Sequence, residues 1–466
     1  MKIGIIHFRV GLTDGVSLEI EKRKLILQQM GHSVKLISSE VNEGADYVIE
    51  NFDYDSILMN KIKKEAYIGL EYYSENDLMD TIYHEASKYT NALDHINQIE
   101  KFDFFLVHNV FSLGSNLPSA KGVYDFLKVN DLPSIFFHHD FYFEKPFYTY
   151  PNKSINSYLN QYLPPIDNKF SHLTINTISQ NKLKVIKNID AEVIADVFDF
   201  TQPQWEVNDF NKTFLGDIGV DENDLIVMMA TRIIKRKGFE LAFQVASELQ
   251  NQIQKIQGNT LYNGKRINND TKVCFIISGH PESSEYEYYL EMQKLASSYT
   301  NFKTVFISDR IGYKESLDVN GNKIYSLWDA YVFCDLILYT TMYEGWGNQL
   351  IEAFFAQKPV IINAYEVFKT DVKKEGYILY ELGETVVKDN YHKFISIDHD
   401  EIVKCVNLLY KDIIDSHFMN NNLLCNYNIA HQKHDLDTFI DYFQKQFDRL
   451  MVNDQMLDNN LELTLD

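Results

Sequence analysis

Residues 340–353 read Thr340-Thr341-Met342-Tyr343-Glu344-Gly345-Trp346-Gly347-Asn348-Gln349-Leu350-Ile351-Glu352-Ala353. Just ahead runs Val332 to Tyr339, VFCDLILY, the kind of apolar stretch that forms a buried parallel strand. Just behind, Leu350–Ala356 has the apolar density of a helix. Glu344 thus falls in a glycine-containing turn at a strand's C-terminal end, and Glu352 on the first turns of the next helix. Open α/β sheets bind ligands at such strand ends. Gly345 and Gly347 let the backbone approach closely, and a helix N-terminus attracts phosphate. Two carboxylates bracketing a phosphate site suit a ligand with hydroxyls at both ends of a diphosphate. A competing role for the pair is to cap the helix and complement its dipole; the flanking glycines favour the ligand.

Outward from this stretch, strands and helices alternate in two sets. Ile3–Phe8 is a strand, followed by the turn Gly11-Leu12-Thr13-Asp14-Gly15, a helix over Ser17–Met30 and a strand at Val34–Ile37, a βαβ opening. Further strands are expected at Phe104–His108, Ser134–His138, Leu173–Ile175 and Glu192–Ile194. Thr201–Gly216 is polar and aromatic without a period and reads as an interdomain linker. The second set has strands at Leu225–Ala230, Lys272–Ser278, Thr304–Ile307 and Pro359–Asn363, with helices at Phe239–Leu249 and Ser326–Phe333. Asn263-Gly264 and Asn320-Gly321 mark loop tips in two excursions, 251–270 and 312–323. His431–Met451 reads as one amphipathic helix. The domains expected are 1–205, 206–430, the helix 431–451 packing back toward the first domain, and an acidic tail, 452–466. The fold class is α/β, with two doubly wound domains facing across a cleft.

Composition excludes several function classes. The formal charge of −22 argues against a nucleic-acid protein, which needs clustered Lys and Arg. It also disfavours adsorption on anionic membrane. Aromatics at 14% with 45% apolar residues indicate packed cores rather than a disordered chain. Cys274, Cys334, Cys405 and Cys425 lie far apart and read as core thiols. The first ten residues form a strand rather than a signal peptide, and no stretch approaches the roughly 18 apolar residues of a membrane span. A cytoplasmic protein is expected.

After the strand Leu225–Ala230 comes Thr231-Arg232-Ile233-Ile234-Lys235-Arg236-Lys237-Gly238. Arg232 and Lys237 enter a helix at a strand end, where a departing diphosphate needs positive charge. Arg-x4-Lys-Gly after a strand, followed downstream by Glu-Gly-x-Gly and a second Glu, resembles the retaining glycosyltransferases of family GT4, which have the GT-B fold. The resemblance implies that Arg232 and Lys237 hold the donor diphosphate, that Glu344 contacts the transferred sugar, and that Glu352 binds the nucleotide ribose. It implies backbone N–H donors at Gly345, Trp346, Gly347 and Asn348, and a nucleotide pocket at Gly279-His280-Pro281-Glu282. Trp346 departs from the commoner Phe, and Asn348-Gln349 from the usual small residues.

In the first half, Phe136-Phe137-His138-His139-Asp140-Phe141 ends a strand. GT4 proteins place a histidine here that reaches the donor sugar; His138 and His139 are both candidates and His139 is favoured. His108-Asn109 is a candidate on the acceptor side. Asp14-Gly15 lies on the first strand-to-helix turn, where Asp14 serves either an acceptor hydroxyl or the helix N-cap. Asp53–Asp55 and Asp398–Asp400 form Asp-x-Asp pairs outside any matching scaffold, so no metal or other cofactor is expected beyond a nucleoside-diphosphate sugar.

The implied reaction moves a hexose, with retention, to a hydroxyl of a small or oligosaccharide acceptor. Thr13-Asp14-Gly15-Val16-Ser17-Leu18-Glu19, and Glu344-Gly345-Trp346-Gly347-Asn348 with Asn363-Ala364-Tyr365 and Asp371, are similar to a GT4 subgroup that includes mannosylglucosylglycerate synthases, implying a small, polar acceptor, acidic or neutral, and a GDP-mannose or UDP-glucose donor. The alternatives are a GT4 enzyme of cell-envelope polysaccharide or glycolipid synthesis, a GT-B phosphorylase or sugar-nucleotide epimerase, and a sugar-binding protein.

Overall fold

The structure, a computed structural model, describes residues 1–11, 15–39, 44–145, 148, 152–383, 386–388 and 394–462, with backbone only for 386–388 and 451–462. The chain divides into two compact units. The first is Met1–Val197 with Leu436–Asp466, and the second is Phe198–Asp435.

The first unit holds β1 (Lys2–Ile6), α1 (Gly15–Gln29), β2 (Ser33–Ser39), β3 (Tyr47–Ile49), α2 (Ile57–Tyr67), α3 (Glu75–Glu100), β4 (Phe104–His108), α4 (Leu117–Val129), β5 (Ser134–His138), α5 (Lys153–Tyr162), β6 (Phe170–Thr174), α6 (Thr177–Lys187) and β7 (Glu192–Val193). Its strands form one sheet in the order β3-β2-β1-β4-β5-β6-β7, and every pairing is parallel. A parallel strand covered on both faces can be apolar at every position, and β4, β5 and β6 are buried throughout. Successive side chains still point to opposite faces. Phe104 and Phe137 join Ile20 and Leu27 of α1, whereas Phe105 and Phe136 join Ile82, Leu117 and Val123 of α3 and α4.

The second unit holds α7 (Phe214–Asp217), β8 (Leu225–Met229), α8 (Phe239–Asn251), β9 (Val273–Ile277), α9 (Tyr286–Ser298), β10 (Lys303–Phe306), β11 (Ile311–Gly312), β12 (Ser316–Leu317), β13 (Lys323–Ser326), α10 (Leu327–Phe333), β14 (Leu336–Tyr339), α11 (Asn348–Phe355), β15 (Val360–Ile362), α12 (Glu366–Thr370), β16 (Tyr380–Glu381), β17 (Val386–Lys388), β18 (Ile395–Ile397), α13 (His399–Ile413) and α14 (Ser416–His434). The order β10-β9-β8-β14-β15-β16 is again parallel. The chain builds outward from β8 to β10 and then returns to β8's other edge with β14. The switch point of this doubly wound sheet is therefore the gap between β8 and β14.

Three differences from the sequence reading have physical causes. The strand expected over Val332–Tyr339 begins only at Leu336, because Val332 and Phe333 finish α10. Periodicity cannot separate buried helix from buried strand in so short a run. The join is fixed by the Asp335 carboxylate, which accepts from Ile226 N (2.8 Å), Asn263 Nδ2 (2.6 Å) and Lys265 Nζ (2.7 Å). The single helix expected over His431–Met451 breaks at Asp435, between α14 and α15 (Leu436–Glu462). There Phe198 N donates to His434 O (2.7 Å), and the Asp435 carboxylate accepts from Phe200 N (3.2 Å). Both bonds draw the chain out of the helix to pair with another segment. Residues 201–216 are anchored within the second unit: Trp205 stacks on Trp328 (4.4 Å between ring centroids), and Asn211 donates to Asp329 (2.8 Å).

Gly264 and Gly321 sit at loop tips with positive φ, as their Asn-Gly pairs predict. Among the described residues no helix is long and apolar enough to cross a membrane. Cys274, Cys334 and Cys405 are buried and Cys425 is exposed. Burial pushes each of the three buried thiols up to about 12. Iodoacetamide at pH 8 is therefore expected to label Cys425 alone in the folded protein and all four cysteines in urea, read by mass spectrometry.

Candidate active site

Three adjacent parallel strands, β9, β8 and β14, release their chains at one end of the second sheet, and those three loops hold the charged residues. The loop after β8 ends in a 3₁₀ turn, Lys235–Lys237, and Gly238 in the left-handed conformation before α8 starts. The turn sends Arg236 and Lys237 toward the loop after β14. Lys237 pairs with one oxygen of Glu344, and Arg236 donates to the other (2.7 Å) and to Tyr343 O (2.8 Å). Arg232, earlier in the same loop, pairs with Glu282 from the loop after β9. Backbone bonds hold the loops together: Met342 N donates to Arg236 O (2.8 Å), and Ile233 N to His280 O (3.0 Å). Gly279 is required here, because a Cβ would stand 1.6 Å from Thr231 O.

Lys237 and Glu344 are each only 8% exposed. A buried ion pair is a poor device for stability, since apolar side chains of similar size do as well or better. Burial, together with the Arg236 and Arg232 guanidiniums, holds the Lys237 ammonium well below its ordinary range, while the Glu352 carboxylate partly opposes this. Three cations, Arg232, Arg236 and Lys237, lie near three carboxylates, Glu282, Glu344 and Glu352. An incoming anion would offset the two guanidiniums that depress Lys237.

The turn then enters α11. Gly347 has φ +133, and a Cβ there would meet Tyr339 Oη at 2.4 Å, so only glycine fits. As N-cap residue it supplies no side-chain cap, and α11 carries no acid in its first turn. The positive end of that helix is thus left to whatever else lies before it. Tyr365 Oη donates to Trp346 O (2.5 Å), and the Trp346 ring is buried against His434 (4.1 Å). Glu352 accepts from Tyr331 Oη (2.9 Å). Among the described residues, Asn348 Oδ1 is buried with no hydrogen-bond partner, and so are both polar atoms of the Gln349 amide.

In the first unit His108 and His139 end β4 and follow β5. His108 Nδ1 lies 3.3 Å from His139 Nε2, and His138 Nε2 lies 3.1 Å from His172 Nδ1. His139 is 8% exposed and His138 1%. Asn109 accepts from His139 N (2.8 Å), which fixes the loop. Burial, reinforced for His139 by Arg23 and His7, keeps His108, His138 and His139 well below the ordinary value of 6.5. Burial pushes His172 down to about 4.

Residues 211–396 match the family Glycosyl transferases group 1. Over 419 residues the chain is 35% identical to the mannosylglucosylglycerate synthase of Petrotoga mobilis, an alignment that covers 89% of this chain and 94% of that protein. The chain belongs to the group 1 glycosyltransferases. A mannosylglucosylglycerate synthase from Thermotoga maritima is 29% identical over 96% of this chain and 99% of its own length. Among solved structures, sucrose-phosphate synthase from Thermosynechococcus elongatus gives a TM-score of 0.59 at 12% identity, covering 97% of this chain and 99% of that one. HepE from Anabaena, in complex with UDP and glucose, gives 0.58 at 13%, covering 96% and 99%. At such identities these structures establish the shared fold, the paired Rossmann-like units of GT-B.

In this glycosyltransferase the second unit brings together Arg232, Lys237, Glu344, Gly345, Trp346, Gly347, Asn348, Glu352 and Gly279. Gly15 opens α1 two residues before the expected Ser17, and Asp14 lies outside the described residues. Sequence reasoning missed Arg236 and Glu282 as partners within the cluster. The Asp-x-Asp pairs do local work. Asp53 accepts from Asp55 N (2.6 Å) and Ser56 N (2.7 Å), and Asp398 caps α13.

The buried histidines set an acid limit on stability. Their folded pKa values are depressed, so the unfolded chain takes up protons first, and stability falls as pH drops below about 6.5. With His172 at about 4, that residue alone removes about 2 kcal/mol between pH 7 and pH 5. Urea midpoints measured over this range are expected to fall with pH, and less steeply in His172→Phe.

Proposed function

We propose that this glycosyltransferase moves a hexosyl group from a nucleoside-diphosphate sugar to a hydroxyl of a small acidic acceptor, with retention at the anomeric carbon. Its relatives' name suggests the product, a mannosylated glucosylglycerate, and therefore a mannosyl donor such as GDP-mannose. The observation that carries the reading is the three-loop ion cluster in front of the uncapped α11, in a chain 35% identical to a mannosylglucosylglycerate synthase.

Arg232, Arg236 and Lys237 hold the donor diphosphate together with the first-turn amides of α11. Glu344 accepts from hydroxyls of the transferred sugar, and Glu352 from the ribose. As the bond from C1 to the phosphate oxygen breaks, its electron pair stays on that oxygen, and the three cations stabilise the growing charge. The acceptor oxygen bonds to C1 on the same face, and its proton passes to the departing phosphate oxygen. Transfer by this route is expected to survive EDTA, because the protein's own cations carry the leaving-group charge. For His139 we keep the role implied by the resemblance, a contact to the transferred sugar.

The test incubates the protein with GDP-mannose, UDP-glucose or ADP-glucose and glucosylglycerate, with and without EDTA. Nucleoside diphosphate release and the acceptor mass are followed, and product NMR reads the anomeric configuration. One donor is expected to yield a hexosylated acceptor with its configuration kept; an unchanged acceptor with every donor would sink the proposal. Glu344→Gln is expected to lower kcat/KM by about 10²-fold with an unchanged circular dichroism spectrum, and normal turnover would refute its role.

A further inference from the structure

Glu352 is half-buried on α11, and its carboxylate is tied to a phenol from inside the protein. Tyr331, on α10, is 0% exposed and donates its hydroxyl to Glu352 Oε2 at 2.9 Å. Burial and the Glu352 charge hold this phenol above its ordinary range, so it stays a proton donor at working pH. The Trp205 ring stands behind it, 5.4 Å away between centroids, stacked on Trp328 (4.4 Å) and tilted against Phe355 of α11 (4.8 Å). Trp205 comes from the segment that begins the second unit. Glu352 is also close enough to the cation cluster for its charge to act on Lys237.

A carboxylate on a part-exposed helix face needs no buried partner to be stable, because water solvates it. A long side chain free to rotate, however, loses rotamer entropy when a ligand fixes it. We propose that Tyr331 is a positioning residue of the donor site: it holds the Glu352 carboxylate in one orientation for the ribose hydroxyls of the nucleotide, and Trp205 braces it from behind. This rests on the donor-site reading of Glu352 given above. The segment 198–206 thereby contributes to nucleotide binding without touching the ligand.

The test is calorimetric titration of GDP and UDP into the wild type, Tyr331→Phe, Glu352→Gln and the double variant. It is repeated with the 2′-deoxy and 3′-deoxy forms of the nucleotide that binds. Tyr331→Phe keeps the ring against Trp205 and removes only the hydroxyl. It is expected to raise the Kd of the ribonucleotide about tenfold, the size of one charge-assisted hydrogen bond. Glu352→Gln should cost at least as much, and the double variant no more than Glu352→Gln alone. With the deoxynucleotide that lacks the contacted hydroxyl, the Tyr331→Phe loss should vanish. Trp205→Phe, which thins the brace, should show a smaller loss with the same hydroxyl dependence. A wild-type Kd in Tyr331→Phe, equal losses for ribo- and deoxynucleotides, or additive losses in the double variant would overturn the proposal. Failure of the wild type to bind either nucleotide would instead bring down the donor-site reading, and this inference with it.

Discussion

The side-by-side pairing of β9, β8 and β14 is the constraint on which the site depends. Parallel strands about 4.8 Å apart end at a common edge, so their loops emerge within side-chain reach of one another. That is why residues as far apart in sequence as Arg232, Glu282 and Glu344 form one ion cluster. The close approach has a steric condition, met by Gly279 against the Thr231 carbonyl and by Gly347 under the Tyr339 hydroxyl. A side chain at either position would push the loops apart and separate the charges with them. The site is thus a property of the sheet's winding order, and the loops supply only the chemical groups.

The chain's formal charge of −22 has the same sign as an anionic ligand. Screening resolves the conflict. Exposed carboxylates farther away than about 10 Å are largely damped by salt, whereas the enclosed cations act in a poorly screened environment. Burial and two guanidiniums depress Lys237 there, despite the Glu344 carboxylate paired with it. The net charge governs how the protein behaves toward nucleic acid and membranes, and the local cluster governs what enters the site.

Sequence alone disclosed what is periodic or punctuated by glycine. Phe104–His108 and Ser134–His138 match the observed strands residue for residue, because strands covered on both faces are short unbroken apolar runs. Glu344 and Lys237 were legible because each sits beside glycine in a loop after a strand, and Arg232 and Glu352 through their spacing from those two. Arg236 was not: in Lys235-Arg236-Lys237 the composition cannot tell which side chain a 3₁₀ turn will aim at Glu344. Tyr331 was hidden because its role is a tertiary contact with a residue on another helix. Residues 44–103 disclosed no strand or helix from sequence, and they hold β3, α2 and the long α3. The helix break at Asp435 escaped because hydrophobic periodicity runs through it, while the bonds that cause it come from Phe198 and Phe200.

That break bears on how the protein is made. The second unit is inserted between two parts of the first, and its two ends are joined by the backbone pairing of Phe198 with Asp435. On the ribosome the insert is complete before the last part of its host exists. Phe104 and Phe137 wait for Phe439, Phe443 and Phe447 of α15, which is synthesised after the insert. The part of that sheet face which α1 does not cover therefore stays open throughout translation of the inserted 238 residues. This is the interval in which an unfinished parallel sheet is most open to aggregation and to chaperones.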